Sequence, residues 1–135
     1  MLRLPDTKAT LMATTERRGP KQVWLAFVWS IKGIKAAWRH EASFRLEAWL
    51  AIVVVPLGLW LGDGAIEKLL LAGTPLLVLA AELLNSAIEA VVDLVSPDFH
   101  ELAGRAKDLG SAATFMMMVL VVLTWVLILG GRWLG

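Results

Sequence analysis

Between Lys21 and His40, apolar side chains recur at spacings of three and four, at Trp24, Phe27, Val28, Ile31, Ile34 and Trp38, with Lys21, Lys32 and Arg39 bordering the stripe. That period predicts an amphipathic helix. A Trp-rich face flanked by basic residues suits a helix lying in the membrane interface, with its rings at headgroup depth and its cations near anionic lipid. Lys35 falls inside the apolar arc and must snorkel. From Leu46 onward the pattern changes to three long apolar stretches, Leu46 to Leu61, Leu69 to about Leu94, and Leu109 to Leu134, separated by polar or glycine-containing segments. Each is read as a helix crossing a bilayer. The first falls short of the ~20 residues a crossing needs, so it is expected to extend back through Phe44 and Arg45. The predicted fold is an all-α membrane protein. Residues 1–20, aperiodic and holding Pro5 and Pro20, form a mobile tail, and residues 21–135 form one membrane domain. That domain has a surface helix at about 21–40 and spans at about 44–61, 67–95 and 109–134.

One stretch breaks the apolar pattern of the second span. On a helix, Glu82, Asn85, Glu89 and Asp93 fall within a narrow arc, with Ser86 beside them and Leu, Ala, Ile and Val elsewhere on the turn. A charge at membrane depth costs roughly 3 kcal/mol or more, so these residues need a cation, a partner or a reaction.

Composition agrees with the membrane reading. Of 135 residues, 58% are hydrophobic and 19% charged, and the mean hydropathy of +0.68 is too high for a soluble domain of this size. Net charge is only +1, yet nine of the 13 Lys and Arg residues lie at or before position 45. The positive-inside rule then puts the amino terminus in the cytoplasm, the turn at Gly62-Asp63-Gly64 outside, the loop from Ser96 to Asp108 inside and the carboxyl terminus outside. The amino-terminal residues contain no apolar core of a cleaved signal peptide. The chain has no cysteine, which excludes disulfides. Trp49, Trp60 and Trp133 are read as interfacial belt residues. Pro56 and Pro75 are expected to kink their spans, and Gly58 and Gly62 are read mainly as turn chemistry.

Glu41, Glu82 and Glu89 are expected to meet near the cytoplasmic side with Asn85 between them, and Glu47 follows Glu41 one to two turns later. Oxygen ligands of this kind suit magnesium, which takes one or two carboxylates and completes its shell with water and substrate phosphate. A nucleotide site is therefore reasonable. The alternative is that Glu82 and Glu89 pair with basic residues of a neighbouring helix and hold an oligomer together. In the following segment, Arg105 and Lys107 can hold phosphate oxygens, while Glu101 and Asp108 can contact a ribose or orient the cations. The alternative there is a solvated loop. The two histidines lack metal-pair spacing, and neither a Walker A motif nor the protein-kinase signature set occurs.

Three segments resemble one known family: Ala36-Ala37-Trp38-x-x-Glu41-Ala42-x-Phe44-Arg45-x-Glu47, the run from Glu82 to Asp93, and His100-Glu101-Leu102-x-Gly104-Arg105-Ala106-Lys107-Asp108-x-Gly110-Ser111-Ala112-Ala113. Their order and spacing are similar to those of the prokaryotic diacylglycerol kinases, and the resemblance runs from about residue 22 to the end. It implies a homotrimeric helical bundle in the bacterial inner membrane, whose active sites form between neighbouring subunits. The implied activity is ATP-dependent phosphorylation of diacylglycerol to phosphatidic acid with Mg2+. By position Glu82 matches the general base, Glu41 and Glu89 the metal ligands, and Asn85, Glu89, His100, Glu101, Lys107 and Asp108 the nucleotide site. Arg45, Glu47, Ser86, Asp93 and Ser111 match lipid-substrate or supporting positions. The implied partners are diacylglycerol, ATP, membrane lipids and two further copies of the chain, with no nucleic acid. Two other readings stand beside this one: an undecaprenol kinase of the same architecture, and a non-enzymatic oligomer whose acidic stripe lines a pore.

Overall fold

The computed structural model describes residues 19–98 and 100–134, the side chains of residues 133 and 134 excepted. The expected tail (all but its last two residues) and the Trp133 ring lie outside the described residues. Four helices follow in order: α1 (Pro20–His40), α2 (Ala42–Leu61), α3 (Gly64–Val95) and α4 (Glu101–Leu134). No strand occurs among the described residues. Helices α2, α3 and α4 are each long and apolar enough to cross a membrane.

Contacts divide the chain after Ile34. In the first unit α1 opens on Pro20, whose missing N–H is harmless at a first helical position. Trp24 stacks on Phe27 with ring centroids 5.7 Å apart, and Trp24, Phe27 and Ile31 are all exposed. This is the apolar face the spacing predicts.

In the second unit α3 lies between α2 and α4 and packs against both. The approach of α2 to α3 is set by small residues. Ala51 and Ala72 are buried, and a Cβ built on Gly58 would stand 2.8 Å from the carbonyl carbon of Leu71. Gly58 therefore marks a backbone crossing, which corrects its reading as turn chemistry. The turn itself uses Gly62, whose N–H reaches the Gly58 carbonyl at 3.0 Å, and Gly64, whose φ of +74° lies in the left-handed region that favours glycine.

Pro75 lacks an N–H, so the carbonyl of Leu71, four residues earlier, has no intrahelical donor. Trp125 on α4 supplies one: its indole N–H donates to Leu71 O at 3.2 Å. Leu71 is also the one large side chain fully buried among the described residues. At the far end of the bundle Arg132 donates to Leu61 O at 2.7 Å, pairs with Glu67, and lies 3.7 Å from Asp63. The ends of three helices are thereby tied together.

Two expectations about element limits change. The first span begins at Ala42, a little earlier than expected, with Glu41 the only residue between α1 and α2. More importantly, α4 begins at Glu101, so most of the segment expected to be a loop is helix. The reason is local: His100 caps the helix, Glu101 occupies its first turn, and Leu102, Ala103, Ala106 and Lys107 are good helix formers.

Trp125→Phe keeps an aromatic ring, though a smaller one, and removes the donor to Leu71 O, so it is expected to destabilise the fold by about 1–3 kcal/mol. Gly58→Ala should cost about as much by forcing α2 from α3. Denaturant titration in detergent micelles checks both, and an unchanged midpoint would contradict the contact concerned.

Candidate active site

Each of the three spanning helices contributes polar side chains to one buried group. From α3 come Glu82, 6% exposed, and Asn85, 8%; from α2 comes Glu47, 8%; from α4 comes Thr114, 4%. Helix period accounts for the α3 pair, and the central position of α3 places their face between its neighbours. Glu82 lies within Coulombic reach of Glu47, Glu41 and Glu89. Neither Glu47 nor Glu82 has an ion-pair partner among the described residues.

Exposure rises toward the carboxyl end of α3. Glu89 is half-buried and accepts a hydrogen bond from Asn85 Nδ2 at 3.1 Å. One turn further on, exposed Asp93 pairs with Lys107 Nζ at 2.5 Å, and Lys107 is also within Coulombic reach of Glu89. The acidic stripe thus runs from a dry interior to a wet rim, where a cation from α4 meets it.

Four buried polar atoms on these helices, three of them in the group, lack a hydrogen-bond partner among the described residues: Glu47 Oε2, Asn85 Oδ1, Ser86 Oγ and Thr114 Oγ1. An unsatisfied polar atom away from water costs about 1–3 kcal/mol, and native folds keep few of them. Glu47, Asn85 and Thr114 belong to the buried group, which therefore has hydrogen-bonding capacity that the described residues leave unused. Space is available on both sides. A cleft of about 240 Å³ runs along Glu47, Val54, Pro75, Val78 and Met118, and a larger groove between α3 and α4 passes Asn85, floored by Ala81, Gly110 and Ala113. Gly110 is buried and packs so close to Asn85 that a Cβ there would strike its Oδ1.

The remaining sequence candidates fall into two sets. Glu41 stands half-buried at the break between α1 and α2, in the N-cap position of α2, and its carboxylate makes no capping hydrogen bond. It stays free to act as a ligand. Arg45, by contrast, donates through Nη1 to Trp38 O at 3.0 Å and Arg39 O at 3.4 Å, closing the last turn of α1. His100 is a helix cap: its Nδ1 accepts from the Leu102 N–H at 3.1 Å, which puts the neutral ring's proton on Nε2. Glu101, Arg105, Asp108 and Ser111 are exposed on α4, with no side-chain bond tying them to the buried group. Sequence reasoning missed Thr114. Its signal was the spacing Lys107, Gly110, Thr114, one face of a helix, visible only once α4 is seen to start at Glu101.

Among the described residues no three His, Asp or Glu side chains converge tightly enough to hold a metal by themselves. The oxygen donors that could take part are the carboxylates of Glu41 and Glu89, both half-buried, and the amide oxygen of Asn85. That fits magnesium arriving with a phosphate ligand, which takes only one or two protein carboxylates.

Comparison with known proteins follows the same lines. The family model for prokaryotic diacylglycerol kinase matches residues 28–129. The chain is 46% identical over 101 residues to a diacylglycerol kinase of Escherichia coli strain K12, covering 75% of this chain and 83% of that protein. It is 46% identical over 97 residues to a diacylglycerol kinase of Haemophilus influenzae, covering 72% and 82%. A diacylglycerol kinase of Pseudomonas aeruginosa is 43% identical over 113 residues, covering 84% and 92%.

His100→Ala removes the cap acceptor and should weaken the first turn of α4 by about 1 kcal/mol, whereas His100→Asn, which can still cap, should not. Amide hydrogen exchange over Leu102 to Gly104 reads the difference.

Proposed function

The chain belongs to the prokaryotic diacylglycerol kinase family, and from that membership we propose that it transfers the γ-phosphoryl group of ATP to the free hydroxyl of a diacylglycerol, giving phosphatidic acid and ADP. The observation that carries the reading is the stripe of Glu82, Asn85 and Glu89, buried at one end and open to charge at the other. Such a stripe lets a lipid hydroxyl and a nucleotide meet at headgroup depth.

Glu82 is the general base. It accepts the hydroxyl proton as the lipid oxygen bonds to the γ-phosphorus and the bond to the β,γ-bridging oxygen breaks, with ADP leaving. Its burial keeps water from competing for the phosphoryl group. Glu41 and Glu89 would hold the magnesium ion that accompanies the nucleotide, and a divalent ion there supplies screening of phosphate charge. Asn85 holds Glu89 in place by its amide hydrogen bond. Lys107 exchanges Asp93 for a phosphate oxygen. Glu101, Asp108 and His100 Nε2 lie along the nucleotide side, and Glu47, Ser86 and Ser111 along the lipid side.

The working form is a homotrimer in the bacterial inner membrane with its amino terminus in the cytoplasm. The basic bias of the amino-terminal segment supports the orientation. The orphaned polar atoms and the open groove beside Asn85 support sites completed by a neighbouring chain.

Glu82→Gln is expected to lower turnover by at least about a hundredfold while ATP still binds. The measurement is transfer of labelled phosphate from ATP into extracted lipid, run in micelles with a diacylglycerol and, separately, with undecaprenol. Normal turnover by the variant would remove Glu82 from its role, and product with undecaprenol alone would reassign the substrate. Chelation of divalent ions should abolish transfer, and added magnesium should restore it.

A further inference from the structure

Glu41 is the single residue between α1 and α2, and its two backbone groups are held from opposite sides. Its N–H donates to Ala37 O at 2.8 Å on α1, and its carbonyl accepts from the Arg45 N–H at 3.3 Å on α2. Extended backbone at Glu41, with φ −105° and ψ 113°, breaks the helix between them. Its carboxylate makes no capping hydrogen bond, so the joint between the two helices decides where that carboxylate can reach.

A one-residue joint is free to swing unless something spans it, because a helix end leaves its last carbonyls without intrahelical donors. Arg45 spans it. From α2 its Nη1 donates to Trp38 O at 3.0 Å and to Arg39 O at 3.4 Å, both in the last turn of α1. One side chain thus brackets two consecutive carbonyls of the preceding helix, and its positive charge faces the negative end of the α1 dipole. An aromatic pair crosses the same joint: the Trp38 and Trp49 rings meet edge-on with centroids 5.8 Å apart. Ala37 and Phe44, on either side of Glu41, are buried. All these residues lie in the compact unit that begins at Lys35.

We propose that Arg45 is the positioning residue for Glu41: by bracketing the Trp38 and Arg39 carbonyls it fixes the α1–α2 joint and holds the Glu41 carboxylate where the metal–nucleotide complex is received. This rests on Glu41 being a magnesium ligand. Magnesium demands near-ideal octahedral geometry, so a ligand on a loose joint binds it less well than one on a fixed joint. Arg45 itself touches neither metal nor substrate.

The test compares Arg45→Met, which keeps an unbranched stem and loses every donor, with Arg45→Lys, which keeps a cation able to reach the same carbonyls. Both are studied in the full chain in mixed micelles beside wild type and Glu41→Gln. The probe is Mn2+ with ADP, which binds without turnover and whose free fraction is read by electron paramagnetic resonance. Arg45→Met is expected to weaken Mn2+–ADP binding about tenfold and to raise the magnesium needed for half-maximal turnover by a similar factor. KM for diacylglycerol should change less than about twofold, and Arg45→Lys should bind Mn2+–ADP within about threefold of wild type. Without metal or nucleotide, the Glu41 amide should exchange its hydrogen about tenfold faster in Arg45→Met. In the Glu41→Gln background, Arg45→Met should weaken Mn2+–ADP binding by less than about twofold more, because the two residues act as one unit.

Wild-type Mn2+–ADP binding in Arg45→Met overturns the proposal. So does a raised KM for diacylglycerol with metal binding unchanged, which would put Arg45 on the lipid. An Arg45→Met chain that no longer assembles, or a loss shared by Arg45→Lys with a lowered denaturation midpoint, also overturns it, since the arginine would then hold the fold. Weakened metal binding in Glu41→Gln beside a silent Arg45→Met leaves the ligand assignment standing and removes only the positioning role. Wild-type metal binding in Glu41→Gln removes both.

Discussion

Glu47 and Glu82 are more than nine-tenths withdrawn from solvent in a protein surrounded by hydrocarbon, and no Lys or Arg among the described residues pairs with either. Desolvating a carboxylate costs several kcal/mol even after relaxation, and only close partners offset it. That cost organises the rest of the chain. The acids must face protein, which puts α3 in the middle with its polar stripe turned toward α2 and α4. Close approach then needs small residues, and Ala51, Gly58 and Ala72 supply them on the α2 side, Gly110 on the α4 side. The hydrogen-bonding capacity left over on that stripe is what the proposed substrates would use.

Much of this was readable in the linear sequence, for a definite reason. Charges are so rare in bilayer helices that four polar residues at helical spacing stand out against Leu and Val, and Glu82, Asn85, Glu89 and Asp93 could be assigned to one face before any coordinates existed. Span number came from length and hydropathy for the same reason. The family motifs added roles that spacing alone leaves open. What stayed hidden depends on partners distant in sequence. Gly58 looks like turn chemistry until Leu71 and Ala72 are seen beside it. Trp125 looks like a lipid-facing aromatic until Pro75 exposes a carbonyl 54 residues away in the chain. Thr114, three residues after Ser111 in an otherwise apolar run, has nothing in the linear sequence to tie it to the stripe on α3.

The helical start of α4 was missed for a different reason. Hydropathy marks where a helix enters hydrocarbon, and the charges of Glu101, Arg105, Lys107 and Asp108 place that point near Leu109. Helix formation obeys other rules: a cap at His100, an acid in the first turn and good formers behind it. The two boundaries differ by two turns of helix. Those turns carry Lys107 on a rigid element and hold it over Asp93 and Glu89, where a flexible loop would have had to pay the entropy of ordering it.

That rigidity bears on how a phosphate group is received. Lys107 is engaged with Asp93 at 2.5 Å at the wet end of the stripe, so its ammonium is already oriented and partly stripped of water. Replacing one oxyanion by another preserves its electrostatic environment, whereas capturing phosphate with a freely hydrated lysine would require both desolvation and immobilisation of a long side chain. Asp93, exposed, recovers water when it lets go. In the proposed reaction the ion pair is therefore a resting contact of low cost to break, and the charge on α4 arrives at the transferred group without any movement of the helices that hold Glu82.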